Sequence, residues 1–142
     1  MSPAPSAPER VILHETLLAL GSRPDCRVFR NSVGLARDPK TGQHVQFGLV
    51  KGASDIIGLA RAEPLHALAA LERWAHLLPA NDLALIRAAL APVGRFLALE
   101  VKSAKGWVRP EQLAFIEMVK RLGGIAGVVR SVHEALALVD RP

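Results

Sequence analysis

An acid and an amine stand two residues apart near the end of an apolar run: Glu100 and Lys102, in the segment GRFLALEVKSAKG that spans Gly94–Gly106. Side chains alternate across a β-strand, so an extended segment puts Glu100 and Lys102 on one face and Leu97, Leu99 and Val101 on the other. A carboxylate that holds a hard divalent cation, beside an ammonium that positions or deprotonates an attacking water, suits metal-assisted hydrolysis. That chemistry needs a second carboxylate. Asp55 follows Gly52-Ala53-Ser54 and precedes Ile56-Ile57, and if that short stretch pairs beside Phe96–Lys102 the two acids converge on one ion. Each residue also has a plainer reading. Asp after Gly and Ser is common in turns, and charges on an edge strand discourage aggregation. The apolar surroundings of Glu100 and the small residues Ser103-Ala104 after it favour the mouth of a cleft.

The elements that must hold these groups follow from periodicity. Ile12, Leu13, Thr16, Leu17 and Leu20 recur at helical intervals, predicting a helix from Glu9 to the stop at Gly21-Ser22, with Pro8 at its first turn. Cys26–Arg30 reads as a strand, Pro39–Gly42 as a turn, His44–Leu49 as a second extended stretch and Asp55–Gly58 as a third strand. Between Pro64 and Pro92 two helical faces appear, Leu65, Leu68, Ala69, Leu71 and Trp74, then Leu83, Ile86, Ala89 and Leu90. They are broken at Pro79, with Asn81 or Asp82 as the cap of the second. This predicts a helical hairpin inserted between two sheet strands. Pro110 and Glu111 open a further helix, continued by Leu113, Ile116 and Val119 and closed by Lys120, Arg121 and Gly123-Gly124. Ile125–Arg130 forms a last strand, and Ser131 with Glu134 has capping-box spacing for a terminal helix. The expected fold is α/β, a mixed sheet flanked by helices in one domain over residues 9–142. Before it comes an arm over residues 1–8, rich in Pro, Ser and Ala, with little to bury.

Composition narrows the function classes. A chain of 142 residues, half of them hydrophobic, suffices for one domain with a real core. The net charge of +5 suits contact with polyanions, and Arg30, Lys51, Lys105 and Arg109 flank the proposed cleft as candidate phosphate contacts. Trp107, after Gly106, reads either as a base-stacking or as a packing residue. A single cysteine, Cys26, excludes an internal disulfide or a multi-cysteine metal cluster and reads as a buried strand thiol. The five histidines show no metal-ligand spacing, and His66 and His76 read as surface or half-buried helix residues. The opening MSPAPSAPER lacks the pattern of a secretory signal, and no apolar run is long enough to cross a bilayer. The expected setting is a reducing cytoplasm, bacterial or phage- or prophage-encoded.

Taken in order, several strings resemble a known family. Lys51-Gly52-Ala53-Ser54-Asp55-Ile56-Ile57-Gly58, then Gly94-Arg95-Phe96 and Glu100-Val101-Lys102-Ser103, are similar to the virus-type replication-repair nuclease (VRR-NUC) domain of the PD-(D/E)XK superfamily. The likeness continues in Arg30-Asn31-Ser32-Val33-Gly34, in Pro110–Phe115 and in Gly123–Ser131, so it spans most of the chain from Glu9 onward. It implies a restriction-endonuclease-like sheet and a DNA endonuclease using Mg²⁺ or Mn²⁺. The metal would be held by Asp55, Glu100 and the Val101 carbonyl, with Lys102 orienting water. It further implies Glu9 as a helix-borne acid at the metal, against Glu15 as the competing choice, and Gln112 near the site. Branched or junction DNA, cut by a homodimer, is the substrate that follows. The segment 64–92 is longer than the family's usual link. A rival reading is a non-catalytic nucleic-acid-binding module that keeps the nuclease fold.

Overall fold

The computed structural model describes residues 7–62 and 65–140, the side chains of residues 65 and 66 excepted. The first six residues of the expected arm, the start of the insertion at residue 64 and the His66 side chain thus lie outside the described residues. The elements are α1 (Glu9–Gly21), β1 (Cys26–Arg30), β2 (Gly34–Arg37), β3 (His44–Phe47), β4 (Ile56–Ala62), α2 (Leu65–Trp74), α3 (Ala80–Ala89), β5 (Val93–Val101), α4 (Pro110–Arg121), β6 (Ile125–Val129) and α5 (Val132–Val139). A short 3₁₀ turn, Ala75–Leu77, follows α2. Mixed α/β content is as expected. No helix among the described residues is long and apolar enough to cross a membrane.

Four strands form a mixed sheet in the order β1-β4-β5-β6. The pairs β1–β4 and β4–β5 are antiparallel. β5 and β6 are parallel, and α4 makes the crossover that parallel neighbours require. β5 is therefore an inner strand with helices over both faces, and Leu97 through Val101 are all buried. That explains a continuous apolar run where a half-exposed strand would alternate. Leu97, Leu99 and Val101 join Ile12 and Leu20 of α1 and Ala135 and Val139 of α5 in one core. On the other face Ala98 packs with Ile116 and Val119 of α4 and Ala126 of β6. The helical spacing of Ile12, Thr16 and Leu20 turns all three inward.

Local chemistry sets the ends of the elements. Gly123 takes φ +84° and ends α4, with Gly124 N donating to Val119 O at 2.8 Å. Ser131 Oγ accepts from Glu134 N at 3.1 Å to cap α5, and the Glu134 carboxylate accepts from Arg130 N at 2.8 Å.

Three expectations need correction. The stretch at His44 ends at Phe47 and leaves the main sheet, pairing instead with β2 in a separate two-stranded hairpin. β2 carries no buried residue, so no alternation betrayed it. Its Gly34 makes room for the Phe47 ring, which a Cβ there would meet at 2.6 Å. The strand after Asp55 is consequently the fourth, and it runs on to Ala62. Finally, α3 begins at Ala80 with Pro79 as its N-cap and no side-chain cap. Asn81 and Asp82 fall inside its first turn, where Asp82 meets the positive end of the dipole instead.

Candidate active site

Asp55 and Glu100 are brought together by strand register. Ile56 pairs with Leu99, so the residue before β4 and the residues ending β5 lie side by side. Val101 N donates to Asp55 Oδ2 at 2.9 Å. A strand residue's N–H and C=O face the same neighbour, which turns the Val101 carbonyl toward Asp55 as well. On the opposite edge Lys102 N donates to Val129 O at 2.9 Å, anchoring this end of β5 to β6.

Glu100 is fully buried. Its Oε1 accepts from Gln112 Nε2 and pairs with Lys102 Nζ at 2.6 Å, while its Oε2 is buried without a hydrogen-bond partner. Burial pushes the Glu100 carboxyl up to about 7. Asp55 pushes the same way, and the hydrogen bond and charge of Lys102 oppose it. For Lys102, burial works to lower the pKa, but Glu100, with help from Glu9 and Asp55, outweighs it and the net direction is up. Lys102 is thus an ammonium and Glu100 a carboxyl poised between its two forms.

Gln112 reaches this spot because it is the third residue of α4. Its Oε1 accepts from Arg109 N at 2.9 Å, fixing the amide so that Nε2 points at Glu100. Glu9 pairs with Lys102 Nζ at 3.5 Å from the start of α1. Glu15, the competing acid, lines a separate recess with Arg10, His14 and Arg30.

A cleft of about 290 Å³ opens over these groups, lined by Glu9, Asn31, Lys51, Asp55, Lys102, Arg109 and Gln112 among others, with Glu100 buried beneath the lining. The loop before Asp55 lies directly on the first turn of α4. Gly52, at φ +87°, is so close that a Cβ would sit 2.7 Å from Glu111 Cβ and 2.9 Å from its backbone. Lys51 Nζ stands 3.6 Å from Glu111 Oε1 at the exposed rim. Two of the four expected phosphate contacts, Lys51 and Arg109, thus border the cleft. Arg30 does not, because alternation along β1 puts it on the α1 side with Cys26 and Val28. Lys105 is exposed in the loop after β5, outside the lining. Cys26 is a buried thiol whose pKa burial pushes up, and it has no part here.

Two positioning residues were not singled out from the sequence. Asn31 N donates to Asp55 O at 2.7 Å and Asn31 Nδ2 to Ser54 O at 3.0 Å, while Oδ1 accepts from Leu49 N at 3.3 Å. This one side chain ties the Asp55 loop to the end of β1. Arg130 Nη1 donates to the carbonyls of Ser103 and Gly106, the second at 3.0 Å, and so holds the loop that leads to Arg109. Both act mainly on backbone groups, which leave no mark in a sequence.

Among the described residues no three Asp, Glu, His or Cys side chains gather as a metal-holding group, and Glu9 contacts Lys102 instead of joining the other two acids. A cation between Asp55 and Glu100 would meet two carboxylates and the Val101 carbonyl. Mg²⁺ fits such a set, since it keeps several waters and often takes only one or two protein carboxylates. The unpartnered, buried Oε2 of Glu100 is the kind of atom a cation would satisfy. Compared with family models, curated proteins and solved structures, the chain matches none.

Proposed function

We propose that this protein is a divalent-metal-dependent nuclease that hydrolyses phosphodiester bonds in DNA, built on a restriction-endonuclease-like α/β domain. The observation that carries the reading is Glu100. It is an acid fully buried in an inner strand, with one oxygen held by Gln112 and Lys102 and the other without a partner, next to Asp55 and Lys102, which line the cleft. Thr16 Oγ1 and Ser54 Oγ are unpartnered too, but a carboxylate oxygen costs far more to bury alone than a hydroxyl does, and Glu100 has a second acid, Asp55, acting on it.

In this reading Asp55, Glu100 and the Val101 carbonyl hold Mg²⁺ or Mn²⁺. Such an ion, when bound, lowers the pKa of water and offsets charge on the phosphate. The chain's own groups do the rest. Gln112 fixes the Glu100 carboxylate, leaving Oε2 for the cation. Lys102 presents its ammonium between Glu100 and Glu9 and orients the attacking water by hydrogen bonding. Lys51 and Arg109 meet the phosphate backbone at the rim, so binding weakens steeply with salt. The resemblance set out above extends the reading to branched or junction DNA and to a homodimer, whose two-fold symmetry matches a pseudo-symmetric junction.

The test is cleavage of labelled linear, flapped and four-way DNA with Mg²⁺, with Mn²⁺ and with chelator. Metal-dependent cutting that Glu100→Ala abolishes is the expected result. Binding without cutting under either cation would instead identify a DNA-binding module that has lost turnover.

A further inference from the structure

The loop between Lys102 and Arg109 carries the most exposed tryptophan of the chain, Trp107, at 74% of its full accessibility. Exposing so large an apolar ring without cover is costly, and the loop around it is well ordered by contacts. Arg130 Nη1 grips the Ser103 and Gly106 carbonyls, and Gly106 N donates to Ser103 O at 3.0 Å. The turn folds back on the site: a Cβ at Gly106 would stand 3.2 Å from Lys102 Cβ. Trp107 is thus displayed one residue from a point in contact with Lys102. Burial then alternates, with Trp107 exposed, Val108 half-buried and Arg109 exposed. An extended segment with that alternation sends Trp107 and Arg109 outward together, and Arg109 lines the cleft. Lys105, two residues before Trp107, is exposed as well.

An exposed ring two residues from a cleft-lining arginine, with a cation on either side of it in sequence, matches the stacking platforms of proteins that bind single strands. We propose that Trp107 stacks on an unpaired base of the DNA strand whose phosphate enters the cleft, so that the enzyme selects substrates with unstacked bases near the cut. Paired bases inside a duplex offer no open face to the ring. Lys105 and Arg109 neutralise the phosphates on either side of the stacked base. This rests on the nuclease reading and adds to it a residue that reads DNA shape.

Two tryptophans, Trp74 and Trp107, make the test direct. In a Trp74→Phe background Trp107 is the sole indole emitter. Without metal, its fluorescence is followed while a short single-stranded oligonucleotide, an abasic strand of equal length and a blunt duplex are added, with fluorescence anisotropy of the labelled DNA reporting binding in parallel. The expected result is quenching by the single strand and none by the abasic strand. Trp107→Ala should weaken single-strand and flap binding roughly 5- to 150-fold, leave the blunt duplex within about 2-fold, and be largely rescued by Trp107→Tyr. Unmoved emission at saturating single strand, or equal weakening of all three DNAs, overturns the stacking role while leaving the nuclease reading intact. Failure of every DNA to bind in the anisotropy channel would overturn both.

Discussion

At one end of the paired strands β4 and β5, Asp55 and Glu100 lie beside each other, Glu100 buried and Asp55 half-buried, both tied by hydrogen bonds. At the other end, beyond the pair Ala62 and Val93, the chain leaves the sheet as the α2–α3 hairpin. There α3 has no buried residue, Trp74, Leu77 and Leu85 are exposed, and among the described residues neither helix makes more than marginal contact with the sheet or the other helices. The hairpin's visible tie is Arg87 bridging both oxygens of Glu72 at 2.8 and 3.0 Å. A buried carboxylate needs a rigid, close-packed surround to be tolerated at all, and the site end has it. The hairpin end carries no such demand. Function and stability should therefore separate along the length of the same two strands.

The sharpest way to break that contrast is to remove the acid. Glu100→Ala should cut metal-dependent cleavage by about 10²- to 10³-fold or more, measured as single-turnover rate. Glu100→Gln should lose activity as fully, yet melt higher than wild type at pH 8 in chelator, because the raised pKa of Glu100, with Lys102 already counted, means that the fold favours a neutral group there. A Gln variant with wild-type activity would mean that the carboxylate does no chemistry.

Lys102→Met probes the partner. It leaves Glu100 buried without its ammonium and should cost about 1–3 kcal/mol at pH 8, read by chemical denaturation. At pH 5 the loss should shrink, since Glu100 then takes a proton. Equal losses at both pH values would show that Lys102 contributes packing and not charge.

The pH dependence of the wild type follows with its sign. Glu100 has a folded pKa of about 7 against an ordinary 4.5, so the folded state holds its proton more tightly than the unfolded chain. Stability from this group is full below pH 4.5 and is lost as pH rises to 7, by at most about 3 kcal/mol. A cation that replaces the proton reverses the loss. Mn²⁺ should therefore raise the melting temperature more at pH 8 than at pH 5, and a shift independent of pH would detach the metal from Glu100.

The juxtaposition of Glu100 and Lys102 was legible because its logic is local: strand alternation puts them on one face. Glu9 and Gln112 were expected from the family resemblance alone, and the structure brings both to the Glu100–Lys102 pair. Register also brought Asp55 to Glu100, which needed only that the stretch after Asp55 pair with β5. The loops were harder to read. Arg30 seemed to flank the cleft, but alternation along β1 aims it at α1. Asn31 and Arg130 work through carbonyls and backbone amides far away in sequence, where no residue type marks the partner. β2 and β3 escaped correct placement because a hairpin without a buried residue has no buried face to pattern, and the cap expected at Asn81 or Asp82 failed because Pro79 takes the N-cap two and three residues earlier.

The mildest intervention tests the other half of the contrast. Since Ala62 and Val93 are cross-strand partners, residues 63–92 can be replaced by a two-residue Asn-Gly turn that closes β4 onto β5 as a hairpin. No described core residue is lost, for among the described residues the buried clusters draw on α1, α4, α5 and the sheet alone. Breaking only the Glu72–Arg87 pair by Arg87→Ala should cost less than about 1 kcal/mol, as exposed ion pairs do. The shortened chain should melt within a few degrees of wild type and keep the pH-dependent Mn²⁺ shift that reports Glu100. Loss of that shift in a folded, shortened protein would mean that the hairpin supports the site through contacts other than packing on the sheet. The separation of the two strand ends would then fail.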